Sequence, residues 1–161
     1  MSAVEWPTAE LTTIARARAL AAAVPGAGYA EIGMAVPFDL AWSRLADIER
    51  SVPGSDPMVQ RLRIRSRRPV DGAEELGLLV HGWPGLPLPM TARLEEGFCL
   101  MLAPGNLYLV VMAAAPDPDD PSRTRYAQVE AVPRRMGRPF RSLTRRMVAK
   151  DVRGFRRYAE G

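Results

Sequence analysis

VPFDLAWSRLADIERSVP, residues 36–53, is the stretch that decides the fold. It follows a strand-like segment, YAEIGMAV at 29–36, whose apolar members include Tyr29, Ile32 and Val36. Pro37 has no N–H to give to a β-ladder, so the strand is expected to end there. A helix is expected to begin at once and to run from about Phe38 to Asp47. Asp39 falls in its first turn, where a negative charge suits the helix dipole. Ala41, Trp42, Leu45 and Ile48 recur at helical spacing and give it one apolar face. SVPGSDP at 51–57 carries two prolines and a glycine. It is expected to break the helix, and Pro53 and Pro57 to force an extended return, because a residue before proline avoids helical angles.

Beyond residue 57 the pattern changes from a helical to an alternating period. In MVQRLRIRSRR, 58–68, Met58, Leu62 and Ile64 fall on one side and Arg61, Arg63, Arg65 and Arg67 on the other, the mark of a half-buried strand. ELGLLVHG (75–82) and PMTARLEE (89–96) read as the next two strands. FCLMLA (98–103) and LYLVVMAAA (107–115) read as a hairpin around Pro104, Gly105 and Asn106. PDPDDPS (116–122) is an acidic loop, and RTRYAQVEAV (123–132) is the last strand. A long helix from about Pro139 to Ala159 closes the chain, with Phe140, Leu143, Met147, Val148, Val152, Phe155 and Tyr158 along one stripe. Upstream, TAELTTIARARALAAAV at 8–24 reads as a helix capped by Thr8 and stopped by PGAG at 25–28. The organisation is an N-terminal helical extension, 1–28, followed by one domain, 29–161.

The 161 residues suit a single domain with a sizeable core. No apolar run approaches the ~18 residues of a membrane span. Glu5, Glu10, Arg16 and Arg18 interrupt the N-terminal stretch in a way a secretory signal does not. The expectation is a cytoplasmic protein without stable membrane insertion. Cys99 and His81 are the sole cysteine and histidine. They exclude an internal disulfide and a Cys/His zinc site, and no cofactor or metal is expected. The net charge is +4, carried by arginine, with Lys150 the only lysine. Arg61 to Arg68 and Arg134 to Arg146 lack the interleaved aromatics of a single-strand platform, so nucleic acid is not an expected partner. PGAG precedes a strand, the wrong context for a phosphate loop or a dinucleotide fingerprint.

The order of elements resembles that of the START-like superfamily, the helix-grip fold of SRPBCC proteins, which includes aromatic polyketide cyclases and dehydratases and lipid-binding proteins. Val36-Pro37, Trp42, Leu45, Asp47 and Pro53 stand where such proteins often place a Val-Pro strand end, a helical Trp, a Leu, an Asp and a Pro. DPSRTRYAQVEAVP at 120–133 resembles their turn and Thr-Arg entry into the last strand, and the closing helix is the third likeness. The likeness covers about residues 29–159. It implies an α+β helix-grip fold, a curved antiparallel sheet wrapped around the C-terminal helix, with an extra N-terminal helix. It also implies a cavity under that helix and a small hydrophobic partner there, aromatic, polyketide-like or lipid. The alternative is an enzyme, a cyclase or dehydratase acting on a polyketide-like intermediate. A third reading is an interaction protein using the Trp83 loop or the arginine face. Homodimer formation is left open.

Certain residues stand out for a pocket of this kind. HGWPGLPLPM, 81–90, joins two strands through a stiff loop with Trp83 and Leu86 at its middle. Such a loop suits a pocket lip, or folds its Trp back onto the sheet. Met90, Met112 and Met147, with Tyr108 on the face of Met112, are placed as ligand contacts together with Phe155, and methionine adapts well to irregular apolar shapes. Asp151 falls between Met147 and Phe155 within the helix's apolar stripe. A carboxyl there must be paired, hold its proton, or face a wet cavity. Arg125 or Arg93 would supply the pairing; a held proton would make Asp151 the catalytic acid or base of an enzyme. Gly154, on the same side, leaves room for a ligand or for the sheet. His81 falls opposite Leu78 and Val80, in a chain without a nucleophile elbow, and is not expected to be catalytic.

Overall fold

The computed structural model of the chain describes residues 10–82, 84–132 and 137–161. Seven strands form one sheet: β1 (Gly28–Met34), β2 (Val59–Val70), β3 (Ala73–Gly82), β4 (Pro87–Glu95), β5 (Phe98–Leu102), β6 (Leu109–Pro116) and β7 (Thr124–Ala131). Their order is β1-β7-β6-β5-β4-β3-β2, antiparallel throughout. Among the described residues four α-helices accompany it: α1 (Thr13–Ala23), α2 (Phe38–Ala46), α3 (Ile48–Ser55) and α4 (Gly137–Glu160). This is the expected α+β arrangement, a curved antiparallel sheet around a long C-terminal helix, with an extra helix at the N-terminus.

Alternation sorts the strand residues into two cores. Leu76, Leu78 and Val80 of β3, Met90, Ala92 and Leu94 of β4 and Met112 and Ala114 of β6 face inward with Val152, Phe155 and Ala159 of α4. Phe98, Val111, Ala113, Ala127 and Val129 face outward, against Ile14 and Ala17 of α1. Each large apolar side chain so buried contributes roughly 1.5–3 kcal/mol. The middle of the sheet is therefore covered on both faces. α1 begins later than expected: Thr12 caps it by accepting the Ala15 N–H at 3.2 Å, and Thr8 lies outside the described residues.

The Val-Pro step acts as expected. β1 ends at Met34, and the Pro37 carbonyl accepts the first helical N–H of α2, from Ala41, at 3.1 Å. The Val36 carbonyl accepts the buried Thr124 hydroxyl at 2.8 Å, which fixes the start of β7. The second Val-Pro step does not act as expected. Asp47, at φ −80° and ψ 65°, breaks the helical path, and α3 then runs through Pro53 to Ser55. Ile48 and Val52 are buried in the inner core, and that burial outweighs the one N–H that Pro53 cannot donate. Gly54 serves the packing: a Cβ there would lie 2.9 Å from the Tyr158 ring of α4. The Glu49 carboxylate of α3 accepts the Ile64 N–H at 2.8 Å, beside a register shift in β2. Such irregularities bend a sheet, and here one is anchored by a helix side chain.

α4 is held at its C-terminal end. The Arg44 guanidinium donates to the carbonyls of Tyr158, at 3.0 Å, and Ala159, a cation where the helix dipole is negative. Glu160 accepts the Ala35 N–H at 2.8 Å. The space at Gly154 goes neither to a ligand nor to the sheet: an added Cβ would collide with the Ser55 carbonyl oxygen of α3. Leu143 is exposed rather than part of the buried stripe. Among the described residues no helix is long and apolar enough to cross a membrane.

Candidate functional site

Between the inner face of the sheet, the end of α3 and α4 lies a cavity of about 280 Å³. Its apolar wall includes Leu62, Val80, Met90, Met101, Val110 and Met112; Met58, Leu86 and Leu88 are its exposed members. Ser55, Asp56, Tyr108, Gln128 and Glu130 supply its polar side chains. An apolar pocket with a few convergent polar groups is the usual make-up of a small-molecule site.

The polar groups are wired together along β7. Tyr126, Gln128 and Glu130 alternate onto the inner face. The Tyr126 hydroxyl donates to Gln128 Oε1 at 2.8 Å, and Gln128 Nε2 donates to Glu130 Oε1 at 2.7 Å. From just before β6, the Tyr108 hydroxyl donates to Glu130 Oε2 at 2.7 Å. From α4, Asp151 shares a hydrogen bond with Glu130. Both carboxyls are buried, Glu130 at 2% exposure and Asp151 at 3%. Asp151 Oδ2 has no hydrogen-bond partner among the described residues.

Two carboxyls in hydrogen-bond contact inside a protein cannot both ionise at neutral pH without a large electrostatic cost. Burial raises both, and the neighbouring carboxylates add to it for Asp151, which is pushed from 3.8 to about 8. The proton belongs on Asp151. Two donors, Tyr108 and Gln128, hold Glu130 as the anion, whereas no such donor reaches Asp151 Oδ2. Asp56 is also raised by burial, although its Oδ1 accepts the Met58 N–H at 2.7 Å. Burial holds the Tyr108 and Tyr126 hydroxyls far above the usual phenol range, so both remain donors.

Leu86, Met90, Tyr108, Met112 and Met147 come together at the cavity. Asp151 reaches it through Glu130. Phe155 stands elsewhere: it is fully buried and stacked on Tyr126 at 4.3 Å between ring centroids. Trp83 lies outside the described residues. Neither arginine considered for Asp151 pairs with it. Arg93 binds Glu95 at 2.8 Å, and Arg125 binds Glu31 at 3.3 Å and Asp117 at 3.4 Å. His81 is not on the cavity wall; its Nδ1 is buried without a partner among the described residues. Burial pushes the Cys99 thiol up to about 12, so it is no thiolate nucleophile. Glu130, Gln128 and Asp56 were not singled out from the sequence; the signal available was the alternation of Tyr126, Gln128 and Glu130. A larger depression of about 590 Å³ on the outer face is lined by Arg68 and Glu75, which pair with each other, and by Arg93, which is held by Glu95.

No family model matches the sequence, and no curated protein does. Solved structures do. TTHA0849 from Thermus thermophilus is 14% identical with a TM-score of 0.59, the match covering 83% of this chain and 96% of that one. The di-domain ARO/CYC StfQ from the steffimycin biosynthetic pathway is 14% identical with a TM-score of 0.57, over 91% of this chain and 53% of that one. The chain therefore spans about half of StfQ. The Zhui aromatase/cyclase from Streptomyces sp. R1128 is 18% identical with a TM-score of 0.52, over 83% of this chain and 93% of that one. At such identities the likeness is one of fold. Together with the seven-stranded sheet gripping α4, it establishes that this chain has the START-like, helix-grip fold.

Proposed function

We propose that the protein is an enzyme of the cyclase or dehydratase kind, which holds a small, largely apolar, oxygen-bearing molecule in the cavity and moves a proton through the Glu130–Asp151 pair. One observation carries this reading: a buried carboxyl pair sharing a hydrogen bond, with Glu130 on the wall of an apolar cavity and Asp151 behind it. Such a pair is an acid and a base in one place. In a dehydration, Glu130 takes a proton from a substrate carbon. The proton held with Asp151 passes through Glu130 to the departing hydroxyl, which leaves as water. A carbon–carbon double bond forms, and the pair ends with one proton, as it began. The fold shared with StfQ and Zhui supports the reaction class. The cavity volume lies just below the ~300–1,000 Å³ usual for ligand pockets. That favours one or two fused rings over a long acyl chain.

Non-catalytic carriage of a hydrophobic molecule is the second reading, favoured by the methionine-rich wall. Native mass spectrometry of the purified protein, before and after denaturation, identifies what the cavity holds. Asp151→Asn and Glu130→Gln are then compared with the parent on a panel of polyketide-like compounds. The enzyme reading expects binding to persist and product formation to fall by about 10²–10⁴-fold. Unchanged turnover in both variants overturns it. A retained adduct with no product from the parent chain assigns the cavity to carriage.

A further inference from the structure

The cavity is short of hydrogen-bond donors. The Tyr108 hydroxyl is spent on Glu130, Gln128 Nε2 gives a hydrogen to the same carboxylate, and the Ser55 hydroxyl donates to the Ser51 carbonyl at 2.7 Å. Gln128 has one further amide hydrogen to give; the other polar side-chain atoms left on the wall are acceptors. Asp56 uses one oxygen on the Met58 N–H, and among the described residues its second oxygen has no donor. Behind Glu130 and off the cavity wall, the buried Asp151 has Oδ2 unpartnered among the described residues. A buried acceptor left without a donor is costly.

Charge points the same way. Asp56 and Glu130 line the cavity, and among the described lining residues there is no Arg, Lys or His. Lys150 is felt by Asp56 and Asp151 but is itself exposed and off the wall. Asp56 is close enough to raise the proton affinity of both Glu130 and Asp151, and Glu130 that of Asp151. They do not make an ion cage: among the described residues no three acids or histidines are grouped to hold a metal. An anionic ligand would enter against two carboxylates with no described cation on the wall to receive it. A protonated amine brings both the charge and the three donors that the wall lacks.

We infer that the cavity selects a compact molecule bearing a protonated nitrogen on an apolar body, with the ammonium held between Asp56 and Glu130. This rests on the reading of the cavity as the substrate site. It narrows the substrate class to amines and excludes free acids.

The test uses three probes of one shape, naphthylmethylamine, naphthylmethanol and naphthoate, titrated calorimetrically into the full chain at neutral pH. The amine is expected to bind roughly tenfold tighter than the alcohol, and the acid at least tenfold weaker, as charge-assisted pairing in a shielded site implies. Asp56→Asn keeps an oxygen for the Met58 N–H, so it is expected to fold. It should cut the preference for the amine while sparing the alcohol. Equal affinities, or an acid that matches the amine, overturn the inference; so does an amine preference that survives in Asp56→Asn and Glu130→Gln alike. If the chain dehydrates neutral substrates without any amine preference, the proposed reaction stands and the ligand class falls. If the amine binds selectively and no substrate turns over, the reverse holds. Failure of all three probes to bind overturns both.

Discussion

The asymmetry between Glu130 and Asp151 is the smallest unit of function in this chain. Glu130 is held as an anion by Tyr108 and Gln128; Asp151 keeps the proton. A carboxyl whose proton affinity rises from 3.8 to about 8 on folding binds a proton in the folded chain over that window and none in the unfolded chain. Stability is therefore greatest at the acid end of the window and falls as pH rises through it, by on the order of 1 kcal/mol per pH unit. Urea denaturation across the window should show this decline, and Asp151→Asn, which cannot titrate, should flatten it. A parent slope no steeper than the variant's would mean that Asp151 is ionised in the folded chain. Turnover that uses the held proton should likewise fall as pH rises past about 8, a limb that Asp151→Asn removes. Asp151 was legible in the sequence because a carboxylate in an apolar helical stripe is conspicuous. Glu130 was not. Residues 126–131 are all buried, since both faces of β7 are covered, and the alternation is inverted: Gln128 and Glu130 face inward while Ala127 and Val129 face the outer core, so the rule that polar residues face solvent misleads.

At the scale of elements, the site depends on how closely α3 and α4 meet. α3 carries Asp56 just past its end, and α4 carries Asp151 and Met147. Gly54 sits under the Tyr158 ring, and Gly154 sits against the Ser55 carbonyl. Helix propensity alone favours alanine over glycine at position 154 by about 1 kcal/mol. The collision with backbone should reverse that sign, and Gly154→Ala is expected to destabilise the fold by about 1–3 kcal/mol. A chemical-denaturation midpoint shifted upward would show that the two helices stand further apart than this contact requires. The alternating strands β2 and β4, with α2 and α4, were readable from period, and the apolar runs of β5 and β6 from the turn between them. α3 was not, because a local rule misled: Val52-Pro53 looks like a helix stop, yet Ile48 and Val52 have a core to enter. The short helix is made by its tertiary setting rather than by its own sequence, as helices of two turns generally are.

The whole molecule is three layers with a division of labour. α1 closes the outer face over Phe98, Val111, Ala127 and Val129, while α4 and α3 close the inner face and leave the cavity open. One sheet serves both, so its outer core stiffens the platform on which Tyr108, Gln128 and Glu130 are mounted. If the layers are independent, weakening the outer one changes stability without changing the site. Ile14, 5% exposed at the centre of the α1 contact, is the residue to weaken. Ile14→Ala removes buried methylene groups far from the cavity and should cost about 2–4 kcal/mol. Under conditions where the variant is still folded, its affinity for the naphthyl probes, corrected for the folded fraction, should equal the parent's. Loss of affinity beyond that correction would mean that strain passes through β6 and β7 to the carboxyl pair. α1 would then belong to the binding machinery rather than to its support.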